Sequence, residues 1–435
     1  MLLKRFLKYT SLNVIGMIGV SCYILADTFF IAAGLGADGL AALNLAIPVY
    51  GLINSTALMI AIGAGTGFAV ERAKRNQQKS NEIFTCGVLL ALLFAAIYIL
   101  AGLFFSEKIA LLLGANQDIL ALTTTYLKTM LFFSPAFLMN QLLIAFIRND
   151  KNPGLSMAGM LIGSFSNIIL DYVFIFPLKM GMFGAAFATG LAPLISMAVM
   201  SQHFFKKQNT FQLLKTGRAL KRGLFVLSLG VSSFVTEIAS SIVIVVFNFL
   251  ILGLAGNTGV AAYGIIANLS LVVTSIFTGI AQGVQPLISS AYGKKEISDI
   301  KKSAAYALFM AFILALVSVF FVAVFREGII ALFNSEGNQE LASIASRGIL
   351  LYFTAFPFAG INIVAVSIFN SVTKARAAFL LSLLRGMLVI IPLSFLLAGA
   401  FGLTGVWLAF PVTEVLTVLI AAALLLGIFR GKIKY

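Results

Sequence analysis

Histidine occurs once in this 435-residue chain, cysteine twice and tryptophan once, and only 15 residues are acidic. These scarcities exclude whole classes of chemistry. One histidine (His203) and two cysteines (Cys22 and Cys86, both in apolar runs) provide no ligand cluster for zinc. They provide no disulfide framework either, and both cysteines read as small core residues. No Gly-x-x-x-x-Gly-Lys pattern occurs, so the chain has no P-loop ATPase engine. Charged residues make up 10% of the chain, against about 25% in ordinary soluble domains. An intramembrane enzyme needs a nucleophile and a base at matched depth, and a lone His203 at a helix end does not supply them. No enzyme and no resident cofactor are expected.

What the chain has in excess is apolar length. Hydrophobic residues form 60% of it, and runs of 18 or more recur from end to end. Each is long enough to cross a bilayer core of about 30 Å. Twelve are read, at about 12–33, 40–68, 83–105, 121–147, 155–177, 182–204, 223–252, 260–288, 303–325, 346–369, 378–399 and 404–429. A barrel strand needs only about 10 residues of alternating polarity, so these longer, unbroken runs are helices. The expected fold class is all-α integral membrane. Residues 4–8 precede a run too long for a signal peptide.

The net charge of +15 is topological. With the N-terminal segment taken as inside, 24 of the 30 basic residues fall in inside segments, among them Arg218, Lys432 and Lys434. That bias is the positive-inside rule and puts both termini in the cytoplasm of a multi-pass cell-membrane (inner-membrane) protein. A nucleic-acid partner is not expected. The chain is expected to act as a monomer.

The chain also repeats itself. Gly39-Leu40-Ala41-Ala42 lies over Gly259-Val260-Ala261-Ala262, Gly63 over Gly283, and Lys74-Arg75 over Lys294-Lys295, at an offset of 220. Asn116-Gln117-Asp118 matches Asn338-Gln339-Glu340, and Pro135 matches Pro357, at 222. Each half then has six helices, and an even number returns the second half to the same orientation. The expected organisation is an N-terminal lobe (1–204), a basic cytoplasmic linker (205–222) and a C-terminal lobe (223–435). Two pseudo-symmetric six-helix lobes with a central cleft form a common transporter plan.

Four acids fall inside apolar spans: Asp27, Asp171, Glu237 and Glu414. A carboxylate in hydrocarbon costs about 2.5–3.5 kcal/mol on insertion scales and usually marks an ion path or relay. Asp27, Asp171 and Thr189 lie six or seven residues from one end of their helices, roughly 9–11 Å below the outer boundary. Asn167 is one turn deeper on the face of Asp171. Two carboxylates in a low-dielectric site do not both stay ionised, so this group either takes up a proton or cages a small hard cation such as Na⁺. Glu237, Gln282, Gln285 and Glu414 form a possible second-lobe polar site. There the glutamates either draw a cationic substrate or a second proton, or are packed acids bonded to a neighbour. Arg385 is expected to snorkel toward the cytoplasmic side. A cleft lined from the 40 Phe and 13 Met suits a bulky lipophilic cation.

These residues resemble a known family. Asp27-Thr28-Phe29-Phe30-Ile31 with Gly39-Leu40-Ala41-Ala42 resembles the first-helix motif of the MATE (multidrug and toxic compound extrusion) family. Asn167-Ile168-Ile169-Leu170-Asp171 resembles its fifth-helix motif, and Gly184-Ala185-Ala186-Phe187-Ala188-Thr189 its sixth. Gln282-Gly283-Val284-Gln285-Pro286-Leu287 resembles the end of its eighth. The resemblance implies V-shaped lobes and cation-coupled drug efflux. It also implies a cation site of Asp27, Asn167, Asp171 and Thr189, as in the DinF-like branch. Two departures stand out: the tenth helix lacks the acid that the NorM-like branch uses, and the first helix lacks a proline. The expected function is antiport of organic, lipophilic cations against H⁺ or Na⁺ by alternating access. The alternative is a flippase for lipid or lipid-linked oligosaccharide. Small organic substrates and membrane lipid are the expected partners.

Overall fold

The computed structural model describes residues 2–217, 219–334 and 337–430; Arg218, Lys432 and Lys434 of the inside basic set lie outside them. Helices and the short turns between them account for almost all of the described residues, which include no strand. The helices are α1 (Leu2–Ala73), α2 (Gln77–Leu112), α3 (Gln117–Phe132), α4 (Ser134–Asn149), α5 (Pro153–Ile175), α6 (Gly181–Met200) and α7 (Gln202–Phe205). They continue as α8 (Ala219–Gly293), α9 (Ile297–Phe333), α10 (Gln339–Tyr352), α11 (Phe356–Ser371), α12 (Ala375–Leu383), α13 (Ile390–Phe401) and α14 (Leu403–Phe429).

Length settles how often the chain crosses the bilayer. At 72 and 75 residues, α1 and α8 would each extend over 100 Å, about three bilayer cores or more. Each is broken once, at Gly36 (φ 69°, ψ −159°) and Gly256 (φ 59°, ψ −158°), a conformation that only glycine adopts cheaply. α3 and α4 form one span bent by 47° at Phe133. α10 and α11 make one apolar stretch, as do α12 and α13. Counting each broken helix as two passes gives the twelve spans expected among the described residues.

The repeat is legible in the backbone. Gly36 and Gly256 break their helices at the sequence offset of 220, and Arg75 and Lys295 are left-handed turn residues at that offset. Lys151 and Thr373 are left-handed turn residues at 222. Asn116 caps α3 by accepting from Ile119 N–H at 3.2 Å, and Asn338 caps α10 by accepting from Leu341 N–H at 3.1 Å.

Two compact units result, residues 15–237 and residues 1–14 with 238–435. In the first unit, Phe68, Phe84, Phe146 and Phe211 pack with ring centroids 4.7–5.9 Å apart. Phe211 lies in the non-helical stretch after α7, so the segment expected to be a polar linker is pinned into a core. The opening of α8 joins this unit through a close helix crossing. A Cβ on Gly63 would stand 2.0 Å from the Val226 carbonyl oxygen, and one on Gly230 would stand 1.8 Å from that of Met59. The second unit repeats the device, with Gly283 of α8 against the backbone of Thr10 in α1. Its core holds Trp407, and Tyr352 stacks on Phe410 at 4.6 Å.

Candidate functional site

In the first unit the four residues singled out by depth come together. Asp27 lies on α1 before its break, Asn167 and Asp171 on the last three turns of α5, and Thr189 on the third turn of α6. All four are buried; Asn167 and Asp171 are 0% exposed. α5 is capped at its far end by Asn152, which accepts from Leu155 N–H at 3.2 Å. Its buried face carries Gly159, Gly163, Asn167 and Asp171 at helical spacing, so small residues let α6 approach and bring Thr189 beside Asn167.

The carboxyl groups of Asp27 and Asp171 are within hydrogen-bonding reach of each other. Asn167 is oriented by its neighbours, its Nδ2 donating to Asp171 Oδ2 at 3.0 Å and its Oδ1 accepting from Thr189 N–H at 3.3 Å. The Thr189 hydroxyl donates to Ala185 O at 3.1 Å, which leaves its oxygen to act as an acceptor. Asp27 Oδ1 and Asp171 Oδ1 are buried with no donor among the described residues. Orphaned carboxylate oxygens of this kind cost free energy unless a proton or a cation joins them.

Three tyrosines complete the surroundings. Tyr23 and Tyr50 share a hydroxyl–hydroxyl hydrogen bond of 3.0 Å. Tyr126 lies beside Thr189 and near both aspartates. Together with Asp27 and Thr189 they line a cavity of about 60 Å³. That is room for an ion and a water or two, and too little for a drug-sized ligand, which needs roughly 300 Å³ or more. Tyr23 carried a sequence signal, being four residues from Asp27 on one helix face. Tyr50 and Tyr126 carried none, since only packing brings them here.

The other polar positions separate. Glu237 is the last residue of the first unit, half-buried on α8. Its charge reaches Tyr50, as does that of Asp27. Gln282 and Gln285 are buried further along α8, and Gln285 donates to Ser289 Oγ at 3.1 Å. Glu414 is fully buried on α14 in the second unit. It is not a lone acid: Asn362 of α11 donates to Glu414 Oε2 at 2.6 Å, and Arg385 donates to Oε1 through Nη2 at 2.6 Å and Nε at 3.1 Å. The expectation that Arg385 snorkels away is therefore corrected. It sits in a π-helical turn, Leu384–Leu388, joining α12 to α13, and is half-buried there. A guanidinium beside a buried carboxylate loses far less energy by pairing than by leaving that charge alone.

His203 also has a place that sequence reasoning missed. Its Nε2 donates to Asp150 Oδ2 at 2.9 Å. Asp150 accepts further from Arg72, from Thr210 N–H at 2.8 Å and from the Thr210 hydroxyl at 2.5 Å. The Thr210 hydroxyl bonds to the carboxylate rather than to the imidazole, so this is no nucleophile–base relay. Centred on the C-cap of α4, it ties the end of α1 and the short α7 to the segment after α7.

The chain matches the MatE family in two segments, residues 14–173 and 232–396, one in each half of the repeat. The chain belongs to the MatE family. The multidrug export protein MepA of Staphylococcus aureus (strain bovine RF122 / ET3-1) is 27% identical over 436 residues, covering 99% of this chain and 94% of the relative. MepA of Staphylococcus saprophyticus is 26% identical over 434 residues, with the same coverage. A multidrug resistance MATE family transporter of the MOP superfamily, solved in an outward-facing conformation, superposes with a TM-score of 0.92 at 19% identity, over 98% of this chain and 96% of that one. A MOP superfamily transporter from Pyrococcus furiosus superposes at 0.90 with 21% identity, over 98% and 96%. At such identities the solved structures carry the fold alone. The MATE fold thus extends over 98% of the chain, which is a multi-pass membrane protein of a transporter family.

Proposed function

We propose that this MATE protein exports lipophilic organic cations from the cytoplasm in exchange for H⁺ or Na⁺, by alternating access, with Asp27, Asn167, Asp171 and Thr189 as the coupling-ion site. The observation that carries the reading is the pair of facing carboxylates, each with a buried oxygen lacking a donor, beside a cavity of about 60 Å³. The donor set is all oxygen: two carboxylates, a side-chain amide and a hydroxyl. It suits a proton shared between the acids, or a small hard cation. Asn167 holds Asp171 in place through its Nδ2, and Tyr126 lies beside Thr189. Entry of the ion removes the repulsion between the carboxylates and favours whichever conformation keeps them together. An ion-linked preference between two states is what coupling requires. Each charge crossing 100 mV supplies about 2.3 kcal/mol.

The relatives are named as multidrug exporters, which supports organic compounds as cargo and does not favour the flippase alternative. Cytoplasmic termini follow from the basic bias of the loops, and a monomer suffices for the mechanism. In proteoliposomes at fixed voltage, with Na⁺ and pH gradients imposed separately, one gradient drives export of a cationic dye. Asp171→Asn removes that gradient-driven export while the protein still folds. Full gradient-driven transport by Asp171→Asn would overturn the coupling assignment.

A further inference from the structure

A second cavity in the first unit, about 350 Å³, is far larger than the carboxylate cavity and shares no residue with it. It is a groove between α2, α3 and α6. Phe183 and Phe187 of α6 stack at 5.4 Å, and Phe133 meets Phe187 at 5.7 Å. Phe132 (60% exposed) and Leu103 (54%) form the opposite lip. Into this apolar groove the chain places one charge, Lys128.

A lysine within a membrane span asks for a reason. Lys128 has no carboxylate partner among the described residues. Its backbone is level with Gly102 of α2, where a Cβ would lie 3.6 Å from Lys128 O. Glu107 lies five residues on, about 7.5 Å further along that helix. Glu107 and Lys108 there are exposed and cancel in charge. The four-carbon stem of Lys128 therefore spans from the apolar groove to the level where polar residues begin. The hydroxyls of Thr125 and Thr129 donate to their own helix, to Ala121 O and Thr125 O at 2.8 Å each, so Lys128 is the groove's donor to a ligand.

The groove thus has an apolar body of ligand-binding size with a single cation at its rim. We propose that it binds an anionic phospholipid from the leaflet on the side of the α2–α3 turn, the phosphate on Lys128 and an acyl chain against Phe132, Phe183 and Phe187. A cationic cargo would be repelled by Lys128, so the groove is not a cargo site, and the proposal stands independently of the coupling assignment.

The test uses full-length protein with a tryptophan reporter, Phe183→Trp, and a second on the facing wall, Leu103→Trp. The native Trp407 is buried in the second unit and gives a constant background. Each protein is reconstituted in equal mixtures of phosphatidylglycerol and phosphatidylcholine, with brominated chains on one lipid or the other. Brominated phosphatidylglycerol is expected to quench with about five-fold higher apparent affinity, the equivalent of about 1 kcal/mol for one lysine at an anionic surface. Lys128→Gln brings that ratio to about one, Lys128→Arg keeps it, and added inorganic phosphate leaves it unchanged. Equal quenching by both lipids with Lys128 in place, or selectivity surviving Lys128→Gln, overturns the proposal. Loss of selectivity on adding phosphate also overturns it, because the site would then hold a free anion rather than a lipid.

Discussion

A buried carboxylate has few stable arrangements, and this chain uses two of them. Asp27 and Asp171 face each other with an oxygen on each left without a donor, whereas Glu414 is held by Arg385 and Asn362. The first arrangement is open to an ion; the second is closed by a fixed one. Removing one partner of a closed buried pair costs about 3–5 kcal/mol, while replacing both with apolar side chains is often close to neutral. Glu414→Leu should therefore lower the thermal unfolding midpoint sharply, and Glu414→Leu with Arg385→Leu should recover most of the loss. A double variant as unstable as the sum of the singles would show that the pair is not what these residues contribute. The aspartate group was legible in the sequence because depth along a helix follows from residue count. The glutamate pair was not, because it depends on the azimuth of three helices and on a π turn.

The elements owe their shape to glycines of two kinds. Gly36 and Gly256 break the long helices where a Cβ would meet nothing within 4 Å, so their requirement is backbone conformation alone. Gly63 and Gly230 sit where a Cβ would collide with a carbonyl oxygen on the crossing helix, so their requirement is space. Alanine at Gly36 is expected to cost about 1–3 kcal/mol through strain. Alanine at Gly63 should cost as much or more, since the two backbones must separate. Thermal unfolding in detergent orders the two, and a neutral Gly63→Ala would refute the close crossing. The sequence showed that Gly39, Gly63 and Gly259 belong to a repeat. It could not show which glycine bends a helix and which admits another, because both leave the same apolar run.

At the scale of the molecule, the repeat of twelve spans and the basic bias of one set of loops fix a testable topology. Lys151 and Arg376 are exposed beside equivalent turns of the two halves, and Lys179 is exposed in a loop of opposite parity. With Cys22 and Cys86 replaced by alanine, single cysteines at 151 and 376 should react with an impermeant maleimide only from the cytoplasmic side. A cysteine at 179 should react only from outside. Labelling of 151 and 376 from opposite sides would refute the parallel repeat.

By itself the sequence determined the membrane class, the number of passes, the two-fold repeat and the aspartate group with its helix partners. All of these follow from length, composition and spacing, which survive any packing. Tertiary structure decided the rest: that three tyrosines line a cavity with Asp27 and Thr189, that Arg385 closes on Glu414, that Phe211 pins the segment after α7, and that the opening of α8 joins the first unit. The physical reason is common to these. A helix apolar on all sides carries little periodic signal for which face meets a neighbour. In lipid that choice is made by close packing and by the few polar groups that must find partners.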